Sequence, residues 1–161
     1  MDFQDRLNQA INRGTKRAGV EAQRQAENAM TQAEMKRRHS HLRTELAERI
    51  EKNLQAVRDQ FPGFDFTTII SGKGWGARIR RDDLMLEKDR TRTNYFSQME
   101  LVISPLSEYN VLDLVGKATI HNKEVFRRNF FKPIVEVEID LFRDLIDSWA
   151  IEFAENFAAK G

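Results

Sequence analysis

Cysteine is absent from the 161 residues, which excludes a disulfide scaffold, thiol catalysis and any zinc or iron–sulfur site built on cysteine. An excess of one charge is absent too. The 26 Lys and Arg stand against 25 Asp and Glu, a net of +1, which argues against a polycationic coat for nucleic acid. No apolar run approaches the roughly 18 residues of a membrane span. The first residues, Met1-Asp2-Phe3-Gln4-Asp5, lack the basic-then-apolar order of a secretory signal, so the expectation is a soluble cytoplasmic protein.

Histidine is scarce. On a helix, His39 and His41 lie about 200° apart and do not chelate one metal as an i, i+4 pair would; they read as solvated polar residues at a kink. His121, beside Asn122 and Lys123, reads as a surface turn histidine. Ser71-Gly72-Lys73-Gly74-Trp75-Gly76 has glycines and a lysine that suit a phosphate, yet it matches neither the Walker spacing nor the dinucleotide pattern, and a strand rather than a helix follows it. A hairpin turn explains it better. Asp82, Asp83, Glu87 and Asp89 lack the calcium-loop spacing and are interleaved with Lys88, Arg90 and Arg92, a pattern of local ion pairs on a loop. Asp140, Asp144 and Asp147 read as the wet face of a helix. No nucleophile, base and orienting group stand in recognisable spacing. The expectation is no catalytic residue, no cofactor and no metal.

What the chain does have is a sharp change of character near residue 40. Of its 42 Phe, Ile, Leu and Val residues, only Phe3, Leu7, Ile11 and Val20 precede residue 41. Residues 1–40 are rich in the helix formers Ala, Gln, Arg and Glu. Gly14, Ala18, Ala22, Ala26, Ala29 and Ala33 recur in steps of three and four, which keeps them on one helical face. Alanine serves helix propensity there, or it lets a second helix approach closely. Leu42, Leu46, Ile50, Leu54, Val57 and Phe61 form a second stripe with large side chains, stopped by Pro62-Gly63. Between the stripes the phase slips, predicting a kink, hinge or change of partner face at 36–41. One helix over 4–60 would extend roughly 85 Å, against about 40 Å for a compact globule of this length. Such a helix projects, folds back or packs on another chain.

After Pro62 the period becomes two. The alternation predicts a hairpin around residues 71–74, a charged connection over 82–90, strands near 94–104 and 109–121, and a possible fifth strand over 124–131. Short connections make the sheet an antiparallel meander. Phe142, Leu145, Ile146, Trp149, Phe153 and Phe157 then mark an amphipathic helix with Asp140 as its N-cap; residues 134–139 fit either the last strand or the helix. The predicted fold is α+β: a long N-terminal helix, a four- to five-stranded antiparallel meander and a C-terminal helix packed on it. Residues 1–40 form an arm and 41–161 the globular domain.

Function follows from organisation rather than motif. The first expectation is a non-enzymatic, self-associating adaptor, a dimer or a partner-binding protein, whose contacts lie at Ala18, Ala22, Ala26, Ala29, Ala33, Leu42 and Leu46. The second is a nucleic-acid binder with phosphate contacts at Lys73, Arg78, Arg80 and Arg92, helped by Lys117, Lys123, Arg127 and Arg128, and with Trp75 or Tyr95 stacking on a base. The alternative is that these cations only solubilise the sheet. A third is a small ligand held between the sheet and the C-terminal helix.

Overall fold

Asp2 opens the first helix. Its Oδ1 accepts the Asp5 backbone N–H at 2.8 Å, satisfying one of the donors that a helix N-terminus leaves free. The computed structural model describes residues 2–86 and 88–160, with side chains described at all of these except 27–30 and 85. Helix α1 (Phe3–Gln60) is followed by strands β1 (Asp65–Ser71), β2 (Gly74–Leu86), β3 (Arg92–Ile103), β4 (Val111–Ile120) and β5 (Lys123–Pro133), a short 3₁₀ turn at Ile134–Glu136, and helix α2 (Ile139–Lys160). The chain divides into two units, Met1–Arg37 and Arg38–Gly161.

In the first unit the described side chains are exposed, apart from a half-buried Met35. The polar stretch 36–41 is helical, so no break in helical structure occurs there. What changes is burial: His39, Leu42, Leu46, Ile50, Leu54 and Val57 are all buried. The helix ends where Pro62 and Gly63 predict, with Gly63 at φ 100°, a conformation that favours glycine.

The second unit is a meander of order β1-β2-β3-β4-β5 with every pair antiparallel. One sheet face presents Ala77, Ile79, Met99, Leu101, Ile103, Leu114 and Ala118, all buried. Against it lie residues 38–60 of α1 and the whole of α2, whose Phe142, Ile146, Trp149, Phe153 and Phe157 are buried. The two helical segments run in the same direction, since Glu45 meets Arg143, Arg49 meets Asp147 and Phe61 meets Phe157. Burying each such apolar side chain contributes about 1.5–3 kcal/mol.

Two expectations are corrected here. Residues 82–86 are strand, not loop: β2 continues through Leu86 opposite Arg92. Residues two apart in a strand share a face, so Arg80 pairs with Asp82 on one face and Arg81 with Asp83 on the other, and the charges cancel without breaking the ladder. Glu87 lies outside the described residues. Asp140 is not the N-cap, because α2 begins one residue earlier; it sits in the first turn and accepts a hydrogen bond from Arg143 at 2.9 Å. The undecided stretch 134–139 is neither strand nor, before Ile139, α-helix.

Candidate functional site

Ala18, Ala22, Ala26 and Ala33 are exposed on the helix of the first unit, and the side chain of Ala29 lies outside the described residues. Phe3, Leu7 and Ile11 extend their stripe toward the N-terminus in steps of four, four and three. Phe3 is 75 % and Ile11 56 % exposed. This stretch of helix therefore carries an apolar and small-residue face that its own side chains do not cover. Leu42 and Leu46 belong elsewhere. At 5 % and 0 % exposure they are in the core of the second unit, so their stripe meets the domain itself.

The outer face of the sheet is set by register. Arg78 stands opposite Glu100, Glu100 opposite Lys117, and Lys117 opposite Arg127. Neighbouring strands are about 4.8 Å apart, so these four side chains form one transverse row. Lys73 joins it around a shallow depression of about 100 Å³ floored by Val102 and Val115. Arg80 lies one row along, paired with Asp82 and stacked 4.5 Å above the Phe96 ring. Arg92 shares the face but not the row: it is six residues from Gln98, the partner of Arg80, roughly 20 Å along the ribbon. Lys123 falls opposite Ile120 and Arg128 opposite Gly116, both on the helix-facing register, where Arg128 pairs with Glu152 of α2 at 2.6 Å. Lys73, Arg78, Arg92, Lys117 and Arg127 have no ion pair among the described residues.

The stacking aromatics are not on that face. Trp75 is on the helix side, with the His39 ring edge-on at 6.5 Å and the Arg43 guanidinium 4.0 Å over it. Tyr95 also faces inward, toward the His121 ring. The reason is parity: Trp75 pairs with buried Ile103 and Tyr95 with Asp83, both on the inner register.

Glycine at position 76 reflects packing. A Cβ there would lie 1.9 Å from the Leu101 carbonyl oxygen, and one at Gly74 would lie 2.5 Å from that of Ile103. These glycines let β2 pass close to β3, which accounts for the unusual hexapeptide without a phosphate.

Two polar clusters escape the sequence reading. His39 is buried, not solvated; its Nε2–H donates to the Ser104 carbonyl at 3.2 Å. Burial pushes its pKa below the ordinary histidine value of 6.5, since a desolvated imidazolium is costly. Asp147 is not on a wet face. It accepts hydrogen bonds from Arg49 at 2.9 and 2.5 Å and from Asn53 at 2.6 Å, and the Arg49 guanidinium holds its carboxyl below the usual range. An open groove of about 360 Å³ runs beside this cluster between α1 and α2, over Ala56, Ala150 and Ala154. His41 is exposed and paired with Glu45. His121 sits in the predicted turn at φ 47°, half-buried against Phe157.

Among the described residues no three His, Asp or Glu side chains stand close enough to hold a metal, and no helix is long and apolar enough to cross a membrane. The aromatic layer proposed for a small ligand is occupied by its own rings: Phe64, Phe153 and Phe157 pack edge-on or stacked on one another. Compared with protein-family models, curated proteins and solved structures, the chain matches none of them.

Proposed function

We propose that this protein is a non-enzymatic interaction module that associates, with its own copy first of all, through the helix of residues 3–37. The observation that carries this reading is the exposure of Phe3, Leu7 and Ile11 on a helix whose small-residue stripe continues their line. An isolated helix depends on tertiary contact for its stability, and this one buries none of those side chains within the chain. Small side chains at Ala18, Ala22, Ala26 and Ala33 bring a facing helix toward the short end of the usual interaxial range, about 8 Å. The test is a pair of surface variants, Ile11→Lys and Ala22→Glu, measured by light scattering. Both lower the association state without shifting thermal unfolding of the sheet domain; an unchanged association state in both refutes the reading.

A second reading, nucleic-acid binding by the outer sheet face, is favoured by the cations Lys73, Arg78, Arg92, Lys117 and Arg127 that lack ion pairs among the described residues. Glu100 within the row and Asp113 nearby oppose it, and the inward Trp75 removes a stacking platform. Its test is the salt dependence of binding to a duplex. Removing Arg78 should lower the salt slope by about one unit, and salt-insensitive or absent binding ends this reading.

A further inference from the structure

The two edges of the sheet are built differently. β5 carries Lys123, Glu124, Arg127, Arg128 and Lys132, ends in Pro133, and shifts register at Ala118/Thr119. Charges, proline and bulges are the features that stop a further strand from adding. β1, at the opposite edge, has one charge in seven residues, Asp65, with no proline and an unbroken register to β2. Its Phe66, Thr67, Thr68, Ile69 and Ile70 suit a pleated strand, and Ile70 is 75 % exposed. An edge strand aims alternate N–H and C=O groups away from its sheet. No other strand pairs with those of β1 among the described residues.

Beside this open edge runs a groove of about 270 Å³ between β1 and the second-unit part of α1, with Ala47, Glu48, Glu51, Thr68, Ile70 and Trp75 in its lining. Its apolar end is the Trp75 ring, fixed from two sides by His39 and Arg43. Its helical wall carries Glu48 and Glu51, neither of which has an ion pair among the described residues. A strand added to β1 turns every second side chain into this groove. Pairing β1 with β1 of a second copy would instead bring two such grooves together, setting four carboxylates side by side against two arginines already stacked on tryptophan. Charge therefore selects a basic occupant over a second copy.

We propose that the β1 edge and its groove form a strand-addition site for an extended basic peptide segment of another protein. An apolar side chain of that segment packs toward Trp75 and Ala47, and its lysine or arginine meets Glu48 and Glu51. The site lies wholly in the second unit and does not depend on the helical face proposed above.

The test uses the full chain and two synthetic peptides, a threefold repeat of Thr-Val-Thr-Lys and its counterpart with glutamate for lysine. Amide exchange at Asp65–Ser71 slows with the lysine peptide, which binds at least about tenfold more tightly than the glutamate peptide, the worth of two surface charge pairs. Glu48→Lys with Glu51→Lys, both on the helix surface, reverses that ranking. Equal binding of the two peptides, protection located away from β1, or no protection at millimolar peptide overturns the proposal. So does slow β1 exchange that rises with protein concentration in the absence of peptide, which would mark pairing between copies.

Discussion

Gly76 shows how far a single residue is constrained by a neighbour that is distant in sequence. Its Cα faces the Leu101 carbonyl so closely that a methyl group would sit 1.9 Å from that oxygen. Gly76→Ala must therefore force β2 and β3 apart, and overpacking of this kind costs about 2–3 kcal/mol. The midpoint of urea unfolding reads this as a clear fall, whereas Gly14→Ala, with nothing near its Cβ, should raise helix stability by about 1 kcal/mol. His39 is the residue to watch as pH changes. The folded chain resists protonating it, because burial lowers its pKa from 6.5, while the unfolded chain does not. Its contribution is therefore present in full above pH 6.5 and declines as pH falls from 6.5 through the lowered folded value. Thermal unfolding between pH 7 and 5 should show this decline. His39→Gln, which keeps a donor toward the Ser104 carbonyl, should flatten it; a slope unchanged by the substitution contradicts the assignment.

At the scale of elements, legibility followed periodicity. The stripe from Leu42 to Phe61 and the one from Phe142 to Phe157 announce helices because 3.6-residue spacing leaves one apolar face. The meander announces itself by alternation and by connections too short for a crossover. What the sequence hides is anything that needs two elements already in place. Asp82 reads as a loop charge until the continuing strand aligns it with Arg80 on one face. The Asp147 seam is invisible until α1 and α2 lie alongside in the same direction, which brings Arg49 and Asn53 to one carboxylate. The outward set of Arg78, Lys117 and Arg127 was within reach from alternation alone; the inward turn of Trp75 and Tyr95 required the register. The seam also makes a prediction. Hydrogen bonds from Arg49 hold the Asp147 carboxyl below 3.8, so its contribution is present above that unfolded value and is lost as pH falls through the folded one. Asp147→Asn should lower the melting temperature by about 2–5 °C at neutral pH and soften the acid limb below about pH 4, both read by differential scanning calorimetry.

For the whole molecule, the two units differ in what they bury. Residues 38–160 build a core within the chain, where Leu46, Ile50, Leu54, Met99, Leu101, Phe142 and Phe153 have no exposed surface. Among the described side chains of residues 3–37 none is buried and only Met35 is half-buried, and that asymmetry is the basis for proposing association there. It also separates the roles of residues that look alike in the sequence. Leu46 and Leu7 both occupy apolar helical positions, yet one is core and the other is exposed. Association through residues 3–37 is put to the test by size-exclusion light scattering of the full chain at low salt beside a chain lacking residues 1–35. The full chain should run as a dimer or larger assembly and the truncated one as a folded monomer. A monomeric full chain, or an assembly that survives the truncation, contradicts it.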